Sequence, residues 1–185
     1  MLPEMSGGQW AVLALAAVLA FWMVGAYNRL VAMRTAIGEA YRQVDELVQR
    51  RAAAAIALAG RAREAMASEQ GALDAWLQAQ TASRAAADAL RQRPVRADLA
   101  AALVAAEATL AGAGARVLAL LEQHPGLLAD PTAAAHLATL REVEARLGFA
   151  RQLFNEAAQA YNDAVRQVPT RLLARLYGFG TAGRL

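Results

Sequence analysis

The chain has 185 residues, a formal net charge of +3 and no cysteine. That length suits one domain plus an anchor, not two domains with separate cores, and the missing cysteine excludes disulfides, thiol nucleophiles and cysteine-based zinc sites. Apolar residues make up 57% of the chain but aromatics only 6%; alanine supplies much of the difference, which points to long, closely packed helices and not to a sheet.

The first element is an uncharged stretch over residues 10–27, with the core AVLALAAVLAFWMVGA. As a helix it is about 27 Å long, enough for a slightly thin bilayer. Trp10 and Tyr27 bracket it and Trp22 lies near its second edge, as at headgroup level. Val24-Gly25-Ala26 would serve as a signal-peptide cleavage site, but the preceding MLPEMSGGQ has no basic residue and carries Glu4, unlike a signal peptide. A buried core helix would not explain the aromatic edges. Arg29, Arg34 and Arg42 follow the span and no basic residue precedes it. The positive-inside rule therefore places a short tail, residues 1–9, outside and the body in the cytoplasm.

No Gly/Ser linker separates anchor from body, so the first helix is expected to continue to about Ala67. Ile37, Tyr41, Val44, Val48, Arg51, Ala55, Leu58 and Ala62 recur at alternating spacings of four and three, a heptad seam. Ser68-Glu69-Gln70-Gly71 reads as the turn. A second helix is expected from about Leu73 to Arg91, with Leu73, Trp76, Gln80, Ser83, Ala87 and Leu90 on one stripe and Pro94 as its stop. Arg91, Arg93 and Arg96 flank that proline without an interleaved aromatic, a solvated connection and not a nucleic-acid site.

The third helix should run from about Arg96 to Gln123, with Leu99, Leu103, Ala106, Leu110, Ala113, Val117 and Leu120 inward, weakened locally by Gly112 and Gly114. His124-Pro125-Gly126 ends it. The fourth starts at Asp130 as N-cap with Pro131 in the first helical position. Its stripe reads Leu137, Leu140, Glu144, Leu147, Arg151, Phe154, Ala158, Tyr161, Val165 and Val168, and Pro169 ends it. The expected fold is all-α: a transmembrane helix continuing into an elongated antiparallel four-helix bundle over residues 28–168, with a short amphipathic tail at 169–185.

Motifs for chemistry are missing. No HExxH, GxxxxGK[ST] or GxSxG occurs, and His124 and His136 are separated by a helix break with no acidic partner at ligand spacing. No catalytic residue, cofactor, metal or small-molecule substrate is expected. What stands out is polarity inside apolar seams. Arg51, Glu144 and Arg151 occupy stripe positions, and Asn155 and Asn162 follow Phe154 and Tyr161. A buried charge must be paired, so Glu144 is expected to pair with Arg51 or Arg151. These residues either set helix register or line a groove for a partner helix or lipid headgroup. In the tail, Arg171, Leu172, Arg175, Leu176 and Phe179 form either an interfacial contact with anionic lipid or a cap on the bundle.

Several of these residues also resemble the LemA family. Tyr27-Asn28-Arg29-Leu30-Val31 after the anchor, Val44-Asp45 with Arg50-Arg51, the pair Glu69 and Leu73, and Pro125, Leu127 and Ala129-Asp130 all fit its pattern. The most specific match is EARLGFARQLFN, residues 144–155, followed by Tyr161-Asn162, Pro169 and Gly178-Phe179. The chain departs from the family at Arg50-Arg51-Ala52-Ala53-Ala54-Ala55-Ile56-Ala57-Leu58, where the usual Asp, Pro and Asn are lost, which should leave the first helix straighter. Ser68 and His124 stand where the family has His and often Tyr. The resemblance implies a single-pass protein of the bacterial inner membrane with its N-terminus outside and a cytoplasmic bundle, and it implies no reaction. The expected role is a non-enzymatic, membrane-anchored scaffold whose partners are the bilayer and another copy or another membrane protein. The alternatives are an adaptor for a membrane metalloprotease or sensor kinase, and a periplasmic lipid- or ligand-binding module were the anchor cleaved.

Overall fold

The computed structural model describes residues 7–185; of the expected outer tail, residues 1–6 lie outside the described residues. Helix α1 spans Gly7–Ala65 without a break, roughly 90 Å at the rise of an α-helix. No proline interrupts the sequence between Pro3 and Pro94, so nothing forces a kink between the apolar start and the body. A 3₁₀ turn at Ala67–Glu69 leads into α2, Gln70–Gln92. Pro94 separates α2 from α3, Ala97–Leu121. A four-residue helix that the sequence reading treats only as a stop, α4 at Pro125–Leu128, precedes α5, Pro131–Arg166. Asp130 caps α5 as expected: its side chain accepts from the Thr132 backbone N–H. After Pro169 comes α6, Thr170–Leu176.

Neighbouring long helices run antiparallel. α1 is flanked by α2 and α5, and α3 lies on α2. The ring is open on its fourth side, because α3 and α5 make few close backbone approaches. The expected stripes of α1 and α2 are buried throughout. Of the stripe expected for the fourth helix, Val168 lies beyond the end of α5 and is exposed, and Val143 takes the core position expected for Glu144. Glu144 lies at the edge of the open side, where α3 does not close over α5.

The core divides into two apolar regions. Near the end at which α1 enters, Leu30, Ile37, Tyr41, Leu90, Leu103, Phe154 and Tyr161 pack together. At the far end, Leu58, Met66, Leu73, Trp76, Leu110 and Leu121 do. Gly114 lies against Trp76: a Cβ there would stand 3.4 Å from its indole nitrogen, in ordinary van der Waals contact.

Candidate functional site

Between the two apolar regions lies a polar layer to which all four long helices contribute. Arg51 of α1 reaches Glu107 of α3 with both terminal nitrogens, Nη1 at 2.9 Å and Nη2 at 2.5 Å. Such fork-to-carboxylate pairing is among the stronger hydrogen-bonding geometries. Nη1 also donates to Glu144 of α5 at 3.2 Å, and Nη2 to Ser83 of α2 at 3.2 Å. The Ser83 hydroxyl and Arg151 Nη2 complete the set by donating to Glu107.

The pairing of Glu144 with Arg51 is present, but Glu144 is not the buried carboxylate. Its side chain is 59% exposed, whereas Glu107 is 11% and Arg51 4% exposed. Arg151, at 33%, bridges from the open side to Glu107. Burial alone would raise the Glu107 carboxyl; hydrogen bonds and charge from Arg51, with Ser83 and Arg151, outweigh it and hold the group below the usual carboxylate range. Burial likewise pulls Arg51 down, but Glu107 and Glu144 more than compensate. Glu107 was missed because a heptad through Leu103 and Leu110 assigns the inward place to Ala106 or Glu107 equally, and Ala106 is the apolar choice. One signal was available: Glu107 is the sole charged residue between Asp98 and Arg116.

Asn155 and Asn162 take no part in this layer. They hold the end of the chain. Asn162 Nδ2 donates to the Ala182 carbonyl at 3.1 Å and its Oδ1 accepts from the Ala182 N–H at 2.7 Å. Asn155 repeats the pattern on Leu185, at 2.6 and 2.8 Å. The spacing explains the pair: seven residues of helix and three of extended chain both span about 10 Å. Tyr161 adds a hydroxyl bond to the Gly180 carbonyl at 3.0 Å. The tail thereby lies along α5 and presses on α3, where a Cβ on Gly183 would come within 2.5 Å of the Ala100 methyl group.

α6 turns into that tail through a Schellman motif, with Gly178 at φ 70° and the Phe179 N–H bonded to the Ala174 carbonyl at 2.8 Å. Phe179 is buried, edge-on to Tyr27 at 5.7 Å and under the Arg34 guanidinium at 5.1 Å. Of the two roles open to the tail, Phe179 takes the cap on the bundle and not the contact with lipid. Leu173 and Ala174 are buried beside it, while Arg171, Leu172, Arg175 and Leu176 face outward. Tyr27, at the edge of the apolar span, also meets Tyr177 at 5.3 Å, so α6 sits level with the point at which α1 leaves the span.

The open side between α3 and α5 forms a groove of about 690 Å³. Arg51, Gln80 and Glu107 line it with Trp76, Val104, Leu118 and Leu140, and Leu185 stands at the end where the tail closes it. His124, at the far tip, approaches Glu69 to 3.8 Å.

No curated protein matches the chain. The LemA family model matches residues 40–184, which take in the polar layer, both clamping asparagines and α6. The chain belongs to the LemA family.

Proposed function

We propose that the protein is a membrane-anchored, non-enzymatic scaffold with its helical body in the cytoplasm. One observation carries this reading: the apolar start of α1 is long enough to cross a membrane and is covered by no other part of the fold. Trp10, Leu13, Val18, Phe21 and Val24 all stand exposed, a surface that water would oppose and hydrocarbon would accept. Arg29, Arg34 and Arg42 on the body side support the cytoplasmic placement.

The second face of α6 fits the same picture. Leu172 and Leu176 are 64% and 73% exposed, with Arg171 and Arg175 beside them and Tyr27 fixing their height. An apolar stripe with flanking arginines at that level suits the headgroup zone of an anionic leaflet. α6 thus caps the bundle with one face and lies on the membrane with the other. The polar layer suits a structural role: it ties four helices together and is charge-balanced, two arginines against two glutamates. Extraction of membranes at alkaline pH tests the anchor. The full chain should stay in the pellet, and a version lacking residues 1–26 should not. Release of the full chain would refute the reading.

A further inference from the structure

α3 carries a second apolar stripe that none of the described residues of a single copy covers. Val104, Ala108, Ala111, Ala115 and Leu118 follow one another at spacings of four, three, four and three. All five are exposed, and all five line the groove. The stripe runs for two heptads without a charge; further back, at Ala97, α3 is met by Gly183 of the tail. It lies about a third of a turn from the buried stripe of Leu103, Leu110 and Val117. α3 is long and apolar enough to cross a membrane itself. Its position against α2 and the bonds from Arg51 and Arg151 to its Glu107 hold it in the body instead, which leaves its outer face to be explained. The groove beside the stripe is incomplete in its own right. Gln80, 2% exposed, lines it, and among the described residues the Gln80 Oε1 has no hydrogen-bond donor and Arg51 Nε no acceptor. Buried groups of that kind are uncommon in finished structures.

We propose that this stripe is the contact between two copies of the chain, α3 against α3, each helix closing the other's groove. A seam repeating every three and a half residues is the pattern one helix presents to another, and small residues at its centre allow a close approach. A second copy is the occupant that the geometry favours. α1 is continuous from the apolar span into the body, so every anchored copy carries its α3 at the same height and in the same direction. A two-fold axis along the membrane normal then brings equal positions of two stripes together in register, an isologous contact. α3 of one copy would pack on both α3 and α5 of the other, against Leu137 and Leu140 on the far wall.

This inference rests on the anchored reading for its parallel register. The chain has no cysteine, so single cysteines can be placed cleanly in the full-length protein in membranes. Ala108→Cys, Ala111→Cys and Ala115→Cys should form disulfide-linked dimers under mild oxidation. Ala102→Cys and Thr109→Cys, exposed on the other side of α3, should not. Equal linking at all five positions, or none at any, would overturn the proposal. Alkaline extraction of the same membranes reports the anchor separately, so a failed anchor is not mistaken for a failed interface. Sedimentation of the full chain in detergent gives the second readout. Ala111→Arg should halve the sedimenting mass and leave the helical signal unchanged, because the position is exposed in one copy. A monomeric parent, or a dimer that survives Ala111→Arg, would equally overturn it.

Discussion

Removing Glu107 should cost far more than removing Glu144, although both bond the same arginine. Glu107→Ala leaves Arg51, 4% exposed, with its fork unfilled between two apolar regions. Breaking a buried pair by deleting one partner costs about 3–5 kcal/mol. The lower end applies, because Glu144 and Ser83 still accept from Arg51 and Arg151 can turn to water. At about 2–4 °C per kcal/mol for a domain of this size, a loss of about 3 kcal/mol lowers the melting temperature by roughly 6–12 °C. Glu144→Ala removes only a pair whose carboxylate is 59% exposed, and such pairs contribute about 1 kcal/mol or less. Thermal unfolding of the full chain in detergent, followed by the helical circular-dichroism signal, separates the cases. Equal shifts, or a larger shift for Glu144→Ala, would refute the placement of the buried charge on α3.

The same layer sets a pH dependence. Glu107 is held below the usual carboxylate range in the fold, so on acidification the unfolded chain takes up its proton first. The stability Glu107 contributes is therefore complete above the ordinary carboxylate range and is lost as the pH falls through its lowered folded value; Glu107→Gln should flatten that acid limb in a series of melts. Asn162→Ala removes two hydrogen bonds to Ala182, each of about 1 kcal/mol net, and should speed amide exchange in residues 180–185 while α1 and α2 stay protected; unchanged exchange there would mean that the clamps do not hold the tail. Gly183→Val should raise exchange in the same segment through its collision with Ala97 and Ala100. Leu172→Glu with Leu176→Glu should weaken binding of a version lacking residues 1–26 to anionic vesicles and leave its melting temperature unchanged; the reverse result would make α6 purely a cap.

The helices were legible because their signals are redundant. Every named stripe residue of α1 and α2 is buried, and Asp130-Pro131 marked the start of α5 through capping chemistry alone. What could not be read was pairing across the open side. Periodicity identifies the inner face of α3, but an alanine-rich helix looks apolar all round, so it hides both the inward Glu107 and the outward stripe. The asparagines were singled out for being polar near a seam; their role depends on where the tail goes, and that follows from the Gly178 turn and the small Gly183. Neither contact leaves a periodic trace in so short a segment.

Topology is the most direct test of the anchored reading, and single cysteines again make it clean. An added Cβ at Gly7 or at Gly60 meets nothing within 4 Å, so Gly7→Cys and Gly60→Cys should leave the fold untouched. A thiol reagent that cannot cross membranes is applied to intact cells and to lysed cells. Gly7→Cys should react in both, and Gly60→Cys only after lysis. Reaction of Gly60→Cys in intact cells would place the body outside the membrane and contradict the cytoplasmic scaffold.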